Sequence, residues 1–515
     1  MIRLQSYLAG RWQDGAGSGA QLKDPVSGEV LATASGDGLD MAEALAHART
    51  TGGPALRALT FAQRAGLINA VAGVLAENRE RYNSIALANS GNTAVDAALD
   101  VDGGIGTLKY YASIGRKLGE ARILAEASDD QLTKDEAFRG RHIWTSSAQV
   151  AVHINAFNFP SWGLWEKAAV SLLAGVPFLA KPATATCFLA YEMVKDVVAA
   201  GVLPEGALSL LCGGGRDLMD HLKPGDVVAF TGSADTALQL RSHPNVIASN
   251  IRFAVEADSL NLCALGPDAA PDSAEFAAFI KEVSREMTVK AGQKCTAIRR
   301  VLVPRDRTDA VVEGLKAALA KAVMGDPRTE GVRMGPLVSR SQAQAAWAGL
   351  AALKAEAEVV AGGGNDDGGC FVAPTLLLCN DPLAAKAIHE IEVFGPVATL
   401  MPYDGVEQAV DLARKGGGSL AASVFSSDSA FLVGFVPAIA THHGRVLVVD
   451  GSVASSHSGH GVVMPHCVHG GPGRAGGGEE LGGLRGLRFY MQRSAVQGSR
   501  AMLDAMTEGA AVVAL

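Results

Sequence analysis

Between Gln149 and Ser233 the chain alternates short apolar runs with helix-compatible stretches, and this alternation narrows the possible folds more than any other feature. The segments "QVAVHINAFNFP" (149–160), "GVPFLAKPA" (175–183), "ALSLLCGGG" (207–215) and "DVVAFTGS" (226–233) each read as a strand running into a loop. Helical stretches fill the intervals, after 160, near 187–200 and near 216–222. Nearly continuous apolar strands joined by helices describe a parallel sheet covered on both faces, because a parallel neighbour is reached only through a crossover.

A second unit follows the same plan. In "DSAEFAAFIKEVSREM" (272–287), Phe276, Phe279, Ile280, Val283 and Met287 share one helical face, and Asp272 or Ser273 can cap the helix. The alternation continues to about residue 435. A further helical stretch spans about 60–90, with Leu67, Val71 and Leu75 on one stripe. The segment 451–486, rich in glycine and histidine, reads as a long functional loop. At 515 residues the chain exceeds what one core fills, so two or more domains are expected.

Composition removes several classes of function. A net charge of −8 without clustered lysine and arginine excludes a nucleic-acid surface. The longest apolar run, Ala168–Ala180, is broken by Ser171, Gly175 and Pro177 and is too short to span a bilayer, so no membrane role is expected. The opening "MIRLQSYLAGRWQDGAG" lacks the apolar centre of a secretion signal, and seven scattered cysteines form no CxxC pair. Reduced thiols in a cytoplasmic protein are the expectation.

One cysteine stands apart. Cys295 lies in "TVKAGQKCTAIRR" (288–300), where glycine allows close backbone approach and polar neighbours can hold part of the thiol as thiolate. The other six read as core thiols. No histidine nearby in sequence offers a protease-like partner, and both a buried core thiol and a nucleophile remain open on spacing alone. The late cluster His457, His460, His466, Cys467 and His469 lacks a structural metal spacing. No metal is expected there, and a substrate-entrance loop is.

Around this cysteine, "HINAFNFP", "FTGS", "GQKCTA" and "HEIEVFGPV" occur in an order that resembles the aldehyde dehydrogenase superfamily across nearly the whole chain. The resemblance implies an α/β fold of two parallel-sheet domains and a small oligomerisation arm. The cofactor-binding domain would take 1–128 and 148–256 with 446–483, the catalytic domain 257–445, and the arm 129–147 and 484–500. "RFYMQRSAVQG" (488–498) would be the arm strand, and the assembly at least a homodimer.

The same resemblance implies site roles. Cys295 attacks an aldehyde carbonyl. Asn158 and the Cys295 N–H face the resulting oxyanion, and Glu256 of "VEADSLN" is the general base for thioester hydrolysis, its carboxyl tuned upward by burial. Lys181 and Thr184 meet the adenosine ribose or its phosphate. Ser233 meets the pyrophosphate at a helix N-terminus, and Glu392 with Phe394 meets the nicotinamide ribose. The dinucleotide fingerprint GxGxxG is absent, "CGGGRDL" (212–218) being a partial match. Thr184 stands where NAD-preferring members often carry an acid that repels a 2′-phosphate, so NADP is expected over NAD. Asp258 and Ser259 replace the usual glycines after the base, which leaves the orientation of Glu256 open.

Longer stretches, "INAFNFPSWGLWEK", "KPATAT", "AGQKCTAIRR" and "VHGGPGRAGGGEELGGLRG", resemble a branch of ring-cleavage semialdehyde dehydrogenases. These act on CoA thioesters in aerobic degradation of aromatics such as benzoate and phenylacetate. The implied partner is a small CoA-linked aldehyde, with room for its tail along 470–483 and Arg474 meeting a phosphate. A CoA-acylating relative is disfavoured by the presence of Glu256. A non-catalytic relative is disfavoured because nucleophile, base and oxyanion donor are all present.

Overall fold

Two seven-stranded sheets organise the computed structural model, which describes residues 2–364 and 367–513. The first runs, edge to edge, through Arg252–Glu256, Val227–Thr231, Ala151–Ile154, Phe178–Lys181, Leu208–Leu210, Ser6–Leu8 and Arg11–Gln13. The first five strands are parallel and the last two are an antiparallel addition from the N-terminal hairpin. From Ala151–Ile154 the chain builds outward to one side and then returns to build on the other. The order therefore reverses beside that strand, and a crevice opens at the carboxyl ends, where α/β sheets take ligands.

The second sheet runs through Glu358–Ala361, Thr375–Leu378, Val397–Tyr403, Arg300–Pro304, Leu262–Leu265, Ser419–Phe425 and His443–Val449. It is parallel except for its edge strand Glu358–Ala361. A third sheet pairs Met491–Ser499 with Phe138–Ser146 over nine residues each and adds Leu124–Glu126 and Ala511–Val513. It thus draws on strands outside 129–147 and 484–500.

Local chemistry explains the helix ends. The helix Ala274–Thr288 begins where Ser273 accepts the Phe276 N–H, at 3.1 Å. The stretch expected as one helix over 60–90 is two, Phe61–Glu77 and Arg79–Ser90, broken where Asn78 leaves helical geometry. A capping box of Thr60 and Gln63 starts the first. Its buried face is Phe61, Ala65, Ile68, Val71 and Leu75, and Leu67 is only half-buried. Trp162–Leu173 is buried on almost every side, which accounts for the long apolar run there. Truncating Leu172 or Leu173 to alanine should cost about 2–5 kcal/mol.

Two expectations change. Arg488–Tyr490 ends the helix Leu484–Tyr490, so the arm strand starts at Met491. The segment 451–486 is not a plain loop, since Val468–Gly470 and Glu479–Leu481 form an antiparallel hairpin. No single helix among the described residues is long and apolar enough to cross a membrane.

Candidate active site

The carboxyl ends of the first sheet deliver the site. Asn155–Asn158 follow one strand, Lys181 ends the next, Thr231 ends a third with Ser233 just beyond it, and Glu256 ends the fourth. Two cavities meet here. One, a narrow cavity of about 50 Å³, is lined by Phe159, Trp162, Glu166, Arg285, Val462, Val463 and His469 among others. The other, of about 470 Å³, is lined by Lys181, Ser233, Gln342, Glu392 and Phe394 among others. Ala156, Asn158, Thr231, Glu256 and Cys295 belong to both walls.

Cys295 reaches this junction on an unusual loop. Lys290, Ala291 and Gly292 all take left-handed backbone angles, with φ of 53°, 52° and 68°. A non-glycine residue there costs about 1–2 kcal/mol. Buried Lys290 offsets the strain: its Nζ lies 4.6 Å from the Phe159 ring, and Asp96 and Asp100 face it. A side chain at Gly292 would meet the Gly395 carbonyl oxygen at 2.3 Å. Three struts then fix the turn. Asn261 Nδ2 donates to the carbonyls of Cys295 and Ala297 (2.8 and 2.9 Å), Arg299 donates to those of Gly292 and Gly395 (2.8 and 2.6 Å), and Lys294 forms a buried pair with Glu286 at 2.7 Å.

The electrostatics differ from expectation at both Cys295 and Glu256. Burial, then the charge of Glu256, pushes the Cys295 thiol up, so the resting sulfur is protonated rather than partly thiolate. Burial alone would raise Glu256. The His469 imidazolium and then Lys167 outweigh it and hold the carboxyl down at about 2. The carboxyl is held down by its partners rather than raised by burial. His469 Nε2 stands 3.2 Å from Glu256 Oε2, both side chains buried, so a histidine distant in sequence stands beside the carboxyl. Sγ of Cys295, a Glu256 oxygen and a His469 nitrogen lie within 4.8 Å of one another.

Behind Glu256 lies a buried charge cluster. Lys167 Nζ reaches Glu480 at 3.2 Å, Glu166 at 3.4 Å and the Thr231 hydroxyl at 2.9 Å. Carboxylate oxygens of Glu166, Glu256 and Glu480 lie within 4.8 Å of one another. Two cations, Lys167 and His469, face three carboxyls. The odd one, Glu166, is raised by burial to about 7 despite Lys167.

Asp258 and Ser259, in place of glycines, have assigned work. Asp258 Oδ1 accepts the Ala234 N–H at 3.0 Å, and the Ser259 hydroxyl bridges Asn261 Oδ1 (2.7 Å) and the Leu420 N–H (2.9 Å). The Ser259 N–H donates to Glu392 at 3.2 Å. Burial raises Glu392 to about 7 against the pull of Arg299, 3.8 Å away. Phe394 packs edge-on to Phe157.

Most expected residues converge. Cys295, Glu256 and Asn158 meet at the junction, and Lys181, Ser233, Glu392 and Phe394 line the larger cleft. Ser233 is the N-cap of Ala234–Arg241, but Asp258 already holds one of the helix N–H groups expected to face a pyrophosphate. Thr184, half-exposed, opens the turn Thr184–Thr186, one residue beyond Ala183 on the cleft wall. Arg474 is not brought to the aldehyde-side cavity. Its guanidinium donates to the Glu390 carbonyl at 2.8 Å and stands 3.9 Å from Asp258. Arg285, which sequence reasoning missed, lines that cavity along with Lys294, paired with Glu286, and His469, paired with Glu256.

Within 470–483 the glycines are not uniformly open: a side chain at Gly476 or Gly478 would strike the Val255 carbonyl oxygen at 2.4 or 2.5 Å, whereas Gly477 has free space beside it. The late histidines scatter: His460 bonds Ser423 at 2.9 Å, His466 packs on Tyr110, and only His469 joins the junction. His469, Lys167, Glu166 and Glu480 were visible only inside longer motifs, with nothing in their spacing to show that they meet.

The cleft fits a dinucleotide. Glu392 Oε1 and both polar atoms of the Asn155 amide are buried without hydrogen-bond partners among the described residues. Such groups on a cleft wall await hydroxyls or amides of a ligand.

Comparison with known proteins agrees with this geometry. The model of the aldehyde dehydrogenase family matches residues 12–496. A 3,4-dehydroadipyl-CoA semialdehyde dehydrogenase of Aromatoleum evansii is 54% identical over 479 residues, 92% of this chain and 93% of that protein. Protein MaoC of Klebsiella aerogenes is 48% identical over 173 residues, 33% of this chain and 52% of that protein. In fold, the chain matches a Staphylococcus aureus betaine aldehyde dehydrogenase in complex with NAD+, with a TM-score of 0.81 at 22% identity over 97% of this chain and 98% of that one.

Proposed function

The chain belongs to the aldehyde dehydrogenase family, and we propose that it oxidises a CoA-linked semialdehyde, best matched by 3,4-dehydroadipyl-CoA semialdehyde, to the free carboxylic acid with NADP. The observation that carries the chemistry is the shared wall: Cys295, Glu256 and Asn158 face both cavities at once. The substrate follows the name of the Aromatoleum evansii relative, and a role in benzoate degradation is part of the same proposal.

Glu256 takes the proton of the Cys295 thiol as sulfur attacks the aldehyde carbon, and the Asn158 amide donates to the oxygen that gains charge. A bound nicotinamide dinucleotide supplies the hydride acceptor, held by Lys181, Ser233, Glu392 and Phe394, with Thr184 on its approach. The thioester left on Cys295 is cleaved by water, whose proton passes to Glu256. Protons leave Glu256 toward the adjoining carboxyls of Glu166 and Glu480, with Lys167 holding those carboxyls in place. In place of Arg474, Arg285 is the cation available to the polar tail of the substrate.

Two further points complete the reading. Met491–Ser499 is an edge strand exposed along most of its length, which favours pairing with a second copy in a homodimer. Seven free cysteines fit a reducing cytoplasm.

A steady-state comparison of NADP with NAD, and of the CoA-linked semialdehyde with hexanal, tests the proposal. The expected result is a higher kcat/KM for NADP and for the CoA-linked aldehyde, with one free carboxylate formed per reduced cofactor. A new thioester at the former aldehyde carbon would point to CoA-acylating chemistry instead.

A further inference from the structure

We propose that His469 is a positioning residue for thioester hydrolysis, anchoring one oxygen of Glu256 so that the other is presented to the water that cleaves the thioester. The inference rests on the reading of Cys295 as nucleophile and Glu256 as base.

The geometry divides the carboxylate in two. Oε2 faces His469 Nε2 at 3.2 Å, while Oε1 is buried without a hydrogen-bond partner among the described residues. His469 Nδ1 is likewise buried and unpartnered, so Glu256 is the one anchor of the ring there, and backbone placement sets where the ring stands.

That placement is firm. In the hairpin, His469 pairs directly with Glu480, which puts both side chains on one face. The hairpin turn then grips the strand that carries Glu256 on both sides of it. The Gly478 N–H donates to the Val255 carbonyl, and the Ala257 N–H donates to the Ala475 carbonyl, each at 3.1 Å. One hairpin thus fixes the backbone around Glu256 and the cation opposite its side chain.

The groups facing this pair come from four more elements. Glu166 and Lys167 stand on Trp162–Leu173, Glu480 on Glu479–Leu481, Cys295 on the nucleophile loop, and Arg445 on His443–Val449. Glu256 and then Glu166 hold His469 above the ordinary histidine range against burial and Arg445. The resting ring is therefore an imidazolium facing the Glu256 carboxylate. The proton released by water goes to Glu256, while the thioester C–S bond breaks and the thiolate leaves.

The test compares wild type with His469→Phe and His469→Gln by stopped-flow detection of the reduced cofactor and by the pH profile of kcat, using the better aldehyde of the steady-state comparison. Gln keeps a donor without charge, and Phe removes both. For His469→Phe we expect a burst near one reduced cofactor per site, then a steady rate at least about tenfold below wild type. Loss of the cation raises Glu256, so the acid limb of kcat should move up by about one pH unit or more in both variants. His469→Gln should recover most of the rate but not the limb.

A uniform loss without a burst and without a moved limb would mark a merely structural role and overturn the inference, as would wild-type behaviour. Should His469→Phe fail to fold, the limb in His469→Gln decides alone. Glu256→Gln separates the two readings. Wild-type turnover there would overturn the assignment of the base itself, whereas impaired Glu256→Gln beside normal His469 variants would overturn only the role of His469.

Discussion

Asn261 holds the carbonyl oxygens of Cys295 and Ala297 with one amide group, at 2.8 and 2.9 Å, from a buried position on the segment just after Glu256. Glu256 and Cys295, the proposed base and nucleophile, are therefore spaced by a side chain five residues beyond Glu256, not by their distance along the chain. Asn261→Leu should lower kcat by about 100-fold while leaving cofactor affinity within about threefold, because misplacing a reacting atom costs rate before it costs binding. Pre-steady-state kinetics and cofactor titration on the folded variant check this.

In the proposed mechanism Asn158 contributes to the transition state alone. Asn158→Ala should reduce kcat by about 100–1000-fold with little change in KM. Retention of more than about a tenth of wild-type kcat would remove it from the oxyanion site.

Glu392 carries a pH signature. Burial raises it to about 7, above its usual range, despite Arg299. Between the ordinary glutamate value and 7 the folded chain binds more protons at this site than the unfolded chain, so the site costs stability as pH rises across that window. Glu392→Gln cannot ionise. The melting temperature of wild type should fall relative to this variant as pH rises from about 5 to about 8. Parallel melting curves across that range would show that the charge is fully compensated. The variant should also weaken cofactor binding.

Arg285 lines the aldehyde-side cavity near its partner Glu282, 3.9 Å away, with its side chain 39% exposed. Arg285→Ala should raise KM for the CoA-linked aldehyde by about tenfold and leave hexanal within about twofold, the difference expected of one charge-assisted contact. An equal effect on both aldehydes would place the substrate tail elsewhere.

The strands around the crevice were legible because parallel, doubly covered strands are apolar throughout, and Cys295 was legible because its motif is local. What escaped was long-range. Spacing could show that Glu256 would be buried, and burial alone predicts a raised carboxyl. The opposite outcome depends on His469 and Lys167, which arrive from a hairpin and a helix far away in sequence. The partners of Arg474 were hidden for a related reason: an arginine among glycines is tied to the backbone carbonyls of His389 and Glu390. Gly476 and Gly478 mark tight packing on Val255, while Gly477 between them faces open space.

The register of the Val468–Gly470 and Glu479–Leu481 hairpin has a consequence for how such a chain can vary. Side chains on a strand alternate faces, so gaining or losing one residue in the turn between Gly470 and Glu479 would slide Glu480 past His469 and send one of them to the far side. The turn makes no bond to a reacting atom, yet its length is a chemical parameter. Substitutions there are limited by space, and insertions are limited by parity.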